Sequence, residues 1–307
     1  MRMENAITLP DASSAFSALA STMRDELKRH CYRMMGGVQD AEDCVQETLL
    51  RGWREFASLR EEAAGRSWLY SIATRVCLDA QRSRRRRQTL FGPSLDEIEP
   101  GAEPWIEPWP GGVAPSDPQR RQDIRLAFVS LLHGLSPRAR AMLLLHDGVG
   151  MTAAEAAAAL GISVPAARSA LQRARTALPP QDVAAREEAP IEAYVEAWNA
   201  GDVDALIGLL HRDIIMTMPP WHRTFIGRDE VARFMTGVWP RYSGFRAMAV
   251  IANGQPAAAV YTRRDDGPYL PHSLHVLAGG GQVGEIVLYA PPLGPNLFAF
   301  FGLPPTA

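Results

Sequence analysis

GVGMTAAEAAAALGISVPAARSALQRARTAL, residues 148–178, reads as two short helices joined by a tight turn. Thr152 and Glu155 form a T-x-x-E capping box, which marks a helix start by satisfying exposed backbone donors. Ala156, Ala159 and Leu160 supply a small apolar face. Gly161 ends this helix, because glycine enters the left-handed conformation at little cost. Ser163 caps the next helix, and Pro165 sits in its first turn, where a missing N–H does no harm. In that second helix Val164, Ala167, Leu171, Ala174 and Leu178 recur at steps of three and four and form one stripe. Arg168, Ser169, Gln172, Arg173 and Arg175 lie off the stripe. Basic and amide groups on the open face of such a helix suit the major groove of DNA. The plainer alternative is a helical hairpin with a solvated charged face.

Working outward, two further helices precede this stretch. Ile124, Phe128, Leu131 and Leu132 mark one, and LSPRARAMLLLH the other, with Ser136 as cap and Pro137 at the first helical position. Residues 118–178 are thus expected to form a four-helix unit large enough to hold a core. Upstream, residues 88–119 contain seven prolines, six acids and no lysine or arginine, which reads as an extended linker; its boundary is placed at 88–117. Trp105 and Trp109 are large apolar groups that such a linker does not need, so they should dock on something.

The first 87 residues read as three helices. Phe16, Leu19, Ala20, Met23, Leu27, Cys31 and Met34 line one face of the first. DAEDCVQETLLRGWREF forms the second, with Ala41, Cys44, Val45, Thr48, Leu49, Trp53 and Phe56 as its apolar set. Its other face shows Glu42, Asp43, Gln46, Glu47 and an apolar Leu50. Acids in the first turn suit the helix dipole, yet Gln46, Glu47 and Leu50 together look like a docking surface. The third helix, about 66–84, buries Trp68, Leu69, Ile72, Ala73 and Val76. It presents Arg75 and runs into RSRRRR, with Arg82, Arg84, Arg85, Arg86 and Arg87, a basic edge suited to phosphates.

After Pro179 and Pro180 the chain changes class. Two helices separated by Asn199–Asp202 precede a strand, a helix and four alternating strands, with Gly279–Gly281 as a hairpin turn. An α+β domain with a curved sheet closing on its helices follows from that order. The whole composition is that of a folded protein: 307 residues, 47% apolar, 21% charged, net charge −2. The three cysteines lack a C-x-x-C pair and read as buried small hydrophobes in a reducing cytoplasm. No signal peptide or membrane span is expected.

DAEDCVQETLLRGW, WLYSIATRVCLDAQRSRRRR and the 135–178 stretch, in that order around an acidic linker, resemble the extracytoplasmic-function sigma factors of bacterial RNA polymerase. The resemblance implies two all-α sigma domains: region 2 at 11–87 and region 4, with the helix-turn-helix, at 118–178. It implies that Asp43, Gln46, Glu47 and Leu50 dock on the clamp helices of the polymerase core's largest subunit. Region 4 would meet the flap. DNA contacts would come from Arg75, Arg82 and Arg84–Arg87 at the downstream promoter element. Pro165, Arg168, Ser169, Gln172 and Arg173 would serve the upstream one. Many members carry I-A-x-N where this chain has Arg75, which alters downstream recognition. Residues 190–304 resemble the SnoaL-like and ketosteroid-isomerase-like α+β cone, an extension thought to regulate the sigma factor to which it is fused.

The cone fold hosts enzymes, but fold does not carry function. Its polar candidates are Asp213, His222, His272, His275 and Tyr289, with no evident carboxylate pair. His272 and His275 are three apart, so on a regular strand they point to opposite faces and make poor joint metal ligands. Met216, Met218, Trp221, Phe225, Trp239, Tyr261 and His275 could line an apolar pocket for a small-molecule ligand, or be plain core. No cofactor, no metal and no catalysis are expected. A competing reading is a one-component helix-turn-helix regulator with a ligand-sensing cone.

Overall fold

The computed structural model describes residues 9–56, 65–91, 105–110, 125–178, 188–219, 221 and 223–307. Side chains are described from Ser14 in the first helix and as far as Arg84 in the third. The chain divides into two compact units, 1–100 with 127–181 and 101–126 with 182–307. Among the described residues no helix is long and apolar enough to cross a membrane.

The first unit is all helical. Its elements are α1 (Leu9–Met35), α2 (Val38–Glu55), α3 (Gly65–Phe91), α4 (Leu126–His133), α5 (Pro137–Leu143), α6 (Ala153–Leu160) and α7 (Val164–Ala177). A π turn at Leu144–Gly148 follows α5. Helix α3 reaches Phe91, so residues 88–91 are helical and not extended as the proline count implied. Helices α1, α2 and α3 pack around Phe16, Met23, Leu27, Ala41, Val45, Leu69, Ile72 and Val76. Cys31, Cys44 and Cys77 meet in that core as free thiols. Hydrogen bonding to Cys31 and Cys44, and burial, push the Cys77 thiol well up.

Two helix faces differ from their apolar periodicity. On α2 the buried line runs through Gly52, while Trp53 is 58% exposed. A Cβ on Gly52 would come within 3.0 Å of Leu69 and 3.1 Å of Phe16, so the missing side chain draws α1 and α3 against that line. Trp53, one residue or about 100° further round, is thereby turned to solvent. On α4 the buried residues are Leu126, Val129 and Leu132, while Leu131 is exposed. LAFVSLLH is apolar on every side, so its sequence specifies no face.

The second unit is the cone. Its elements are α8 (Ile191–Ala200), α9 (Val203–Gly208), β1 (Leu210–Met218), β2 (Arg223–Ile226), α10 (Arg228–Val238), β3 (Gly244–Ala252), β4 (Gln255–Arg263), β5 (Leu270–Gly280), β6 (Gln282–Tyr289) and α11 (Leu293–Leu297). The sheet runs β2-β1-β6-β5-β4-β3, with β1 and β6 parallel and all other pairs antiparallel. One sheet face packs Ala258, Val260, Leu277, Ile286 and Leu288 against Tyr194, Trp198, Val231 and Met235 of the helices.

A β-bulge corrects the expectation for the two histidines. Val260 pairs with Ser273 but Tyr261 pairs with Pro271, leaving His272 as an extra residue. The bulge re-aims it. His272 Nδ1 and His275 Nε2 both share hydrogen bonds with Ser273 Oγ, at 3.1 and 2.8 Å. The two side chains therefore join one polar chain instead of facing apart.

Candidate polymerase and nucleic-acid interfaces

Helix α2 separates two surfaces. Its inner face is the core line of Ala41, Cys44, Val45, Thr48 and Gly52. Its outer face carries Asp43, Gln46, Leu50 and Trp53 at steps of three, four and three, all exposed. Leu50 and Trp53 are 42% and 58% exposed, a large apolar area for a helix with an ample core to bury it. Glu47, half-buried, accepts from Arg51 Nε at 2.7 Å. Asp43 accepts from Gln39 at 3.0 Å. Glu42 belongs to the fold, because its carboxylate pairs with Arg24 at 2.9 Å and Lys28 at 2.8 Å. Lys28, then Arg24, holds that carboxyl below the usual range. Trp53 is the residue that periodicity alone missed; the glycine before it was the available signal.

Helix α7 has a similar division. Ala167, Leu171 and Ala174 are buried, and Arg168, Ser169, Gln172 and Arg173 are exposed. Its N-terminus is set by Ser163, which accepts from Ala166 N, and by Pro165 in the first turn. The preceding turn is fixed by Gly161 at φ 64°, and the Thr152–Glu155 capping box is complete. In α6 the buried residues are Ala156 and Ala157, with Ala159 and Leu160 only half-buried. Arg175 is not free for DNA, since its Nε donates to Asp147 at 3.1 Å and ties α7 to the π turn.

On α3, Arg75 is exposed and donates only along its own helix, to Ser71 O. Arg82 is paired with Asp79, and Arg84 with Asp40 at 3.1 Å. The side chains of Arg85, Arg86 and Arg87 lie outside the described residues. Thus Arg75 and the polar α7 residues are exposed, while Arg82 and Arg84 are partly neutralised by Asp79 and Asp40.

One buried cation was not legible in the sequence. Arg140, 4% exposed, donates to the carbonyls of Leu132, His133, Leu135 and Met34. These carbonyls sit at the ends of α1 and α4, where helices leave acceptors unpaired. The His133 ring lies against this guanidinium; burial, then Arg140, lowers its pKa to about 3.

In the cone, Met216 and Met218 are core, with Phe225 and Trp239 half-buried against it. Trp221 is exposed, its Nε1 donating to Pro291 O at 2.9 Å. Tyr261 is absent from the helix-facing cluster. It stacks edge-on against Phe298 and donates to Pro304 O at 2.9 Å. The seven pocket candidates are therefore not gathered around one space. The interior is occupied by rings: Trp198, Trp239 and Phe245 lie 4.2–5.1 Å apart. His275 shares hydrogen bonds with Tyr194 Oη at 2.9 Å and with Ser273, and burial lowers its pKa to about 3. His272 shares one with Tyr242 Oη at 2.9 Å, and burial, then Arg264, lowers it to about 4. Asp213 is a surface residue beside Arg212, and His222 lies outside the described residues. Tyr289 donates to Ile106 O at 2.6 Å. Among the described residues no group of three or more histidines, cysteines or acids is placed to hold a metal.

Residues 105–110 lie against the cone. Trp109 is buried and Trp105 half-buried. Trp109 N donates to Asn253 Oδ1 at 2.8 Å, and Asn253 N donates back to Trp109 O at 2.9 Å. Asn253 and Gly254 adopt φ 56° and 65°, as a two-residue hairpin turn requires, which aims the Asn253 side chain at the linker.

Family models match in three places: Sigma-70 region 2 over residues 19–87, Sigma-70 region 4 over 125–178, and the SnoaL-like domain over 191–283. The ECF RNA polymerase sigma factor SigG of Mycobacterium tuberculosis is 40% identical, over 94% of this chain and 84% of that one. SigJ of the same organism is 34% identical over 80% of each. The crystal structure of SigJ superposes with a TM-score of 0.65 at 28% identity, covering 92% of this chain and 98% of that one.

Proposed function

The chain belongs to the extracytoplasmic-function RNA polymerase sigma factors, and on that footing we propose how its parts divide the work. As a sigma factor it joins core RNA polymerase and directs transcription initiation at chosen promoters. Residues 11–87 and 118–178 act as the two sigma regions, with 88–117 as the linker between them. In our reading the outer face of α2, with Asp43, Gln46, Glu47, Leu50 and Trp53, docks on the clamp helices of the polymerase. Region 4 meets the flap. Pro165, Arg168, Ser169, Gln172 and Arg173 read the upstream element in the major groove. Arg75 with the arginines 82–87 follows phosphates at the downstream element. The chain acts where the polymerase is, in the cytoplasm.

The observation that carries this reading is the two-sided α2 helix. A folded helix with its core face filled has no internal reason to expose Leu50 and Trp53 beside acids. Two apolar groups three apart, with Asp43 and Gln46 continuing the same face, give a partner an apolar anchor inside a polar rim.

The cone acts as a regulator without catalysis, and its hold on linker residues 105–110 is its lever. While Trp109 stays buried there, the linker is not free to extend. Any small molecule in the cone would act only by binding held and released forms unequally. Run-off transcription with purified core polymerase tests the assignment. Leu50→Ala with Trp53→Ala should weaken core binding roughly 30-fold or more, as buried aromatic anchors do, and leave folding stability within about 0.5 kcal/mol. Undiminished co-purification with core would remove the α2 face from the interface. Cutting the chain after Pro180 should change transcription strength; equal output from both chains would end the regulatory reading.

A further inference from the structure

The cone separates its charges. Residues 192–213 contain five acids and one arginine, whereas residues 231–264 contain five arginines and no acid. Four of those arginines, Arg241, Arg246, Arg263 and Arg264, converge where β3 begins and β4 ends, the point at which Gly244 pairs with Arg263. Arg241, Arg246 and Arg264 are exposed, and Arg263 is half-buried.

Tyrosines set the guanidinium planes. The guanidinium carbons of Arg246 and Arg263 each lie 4.9 Å from the Tyr269 ring centroid, and that of Arg264 lies 5.6 Å from the Tyr242 centroid. The hydroxyl of Tyr269 sits 2.8 Å from where a Cβ on Gly244 would be, in space that the glycine leaves open. Tyr242 is held by its hydrogen bond to His272. Among the described residues no carboxylate pairs with any of the four arginines. Asp265 and Asp266, in the adjoining turn, are exposed and also unpaired with them.

Stacking orders a guanidinium without neutralising it. A structural cation would have been given a carboxylate; Arg241, Arg246 and Arg264 are exposed with their N–H edges open to something outside the fold, whereas the Nε of Arg263 is buried. Planar, weakly hydrated cations in fixed orientation match phosphate oxygens. We propose that this end of the cone binds the sugar–phosphate backbone of promoter DNA, as a contact additional to those of α3 and α7. The proposal rests on the sigma-factor function, which brings promoter DNA to the protein. Tethering to the other DNA contacts lets a weak surface contribute, because its second encounter is intramolecular.

The test uses the full chain bound to core polymerase on a promoter fragment, with affinity followed against salt. R241Q/R246Q/R264Q should reduce the slope of log affinity against log salt by about 2 to 3, near 0.9 per lost phosphate contact. R241K/R246K/R264K, which keeps the charges, should retain most of the slope. Melting of both variants checks that the cone stays folded. A glutamine variant with the wild-type slope overturns the proposal. If that variant also transcribes more strongly, the patch holds an acidic protein segment, such as residues 88–119, in place of DNA. An unchanged transcription start site keeps the sigma-factor reading intact in either case; failure of the wild-type chain to load core polymerase would instead strike that reading.

Discussion

In the helical unit the buried polar groups reach mainly for backbone, with His30 and Thr74 a side-chain pair at 2.9 Å. Arg140 supplies donors to four carbonyls at helix ends, and Thr48 and Thr74 donate to carbonyls one turn earlier. In the cone some, such as Asn253 and Tyr289, also meet backbone, but five side chains bond to one another. Tyr242, His272, Ser273, His275 and Tyr194 form a single run of side-chain hydrogen bonds. The difference follows from the elements. Helices end inside the first unit and leave carbonyls without partners. Strands within a sheet pair their own backbones, so the hydroxyls and imidazoles of this run meet other side chains, while Tyr261 and Tyr289 reach the carbonyls of Pro304 and Ile106 outside the strands. Buried polarity thus clamps helices together in one unit and holds a bulged strand in place in the other.

The strongest challenge to this contrast is Arg140→Ala. It strips donors from four carbonyls at once and should lower the stability of the helical unit by about 3–5 kcal/mol, with the cone's transition unmoved. Denaturation followed by a probe in each unit checks it; equal loss in both would show that Arg140 serves no local clamp.

Acid comes next and should strike both units. His30 and His133 in the first, and His272 and His275 in the second, have pKa values lowered to about 3 or 4 from 6.5. For each, burial disfavours the charged form, so below pH 6.5 the unfolded chain binds more protons than the folded one. Stability is then present above 6.5 and falls as pH drops toward 4, by ~1.4 kcal/mol per pH unit for each histidine. Replacing His275 by Phe should flatten the cone's pH slope by one proton. An unaltered slope would mean that His275 is already charged when folded.

The smallest of the three is Ser273→Ala. It breaks the side-chain run at its middle and leaves two imidazole nitrogens without their partner, at a loss of about 1–3 kcal/mol confined to the cone. Hydrogen exchange across β5 should rise. Unchanged exchange would show that the bulge is held by the backbone alone.

The helix-turn-helix was legible almost residue by residue. A capping box, a left-handed glycine and a capped second helix are local features, set by neighbours within four positions, and they appear as written in the chain. The order of helices and strands in the cone was legible for the same reason, apart from β2, whose four residues are too short and too exposed to signal themselves, and the five-residue α11. The exposed face of α7 followed directly from its stripe. What the chain could not announce is which side of a helix or strand meets a distant partner. Trp53 faces water because Gly52 lets α1 and α3 come close, and neither helix is encoded in α2. His272 joins His275 because one extra residue in β5 is opposed by none in β4, a property of the pairing and not of either strand. Arg140 is buried by carbonyls 106 positions away in the case of Met34. Periodicity reports the angle between successive side chains; only packing decides which angle points inward.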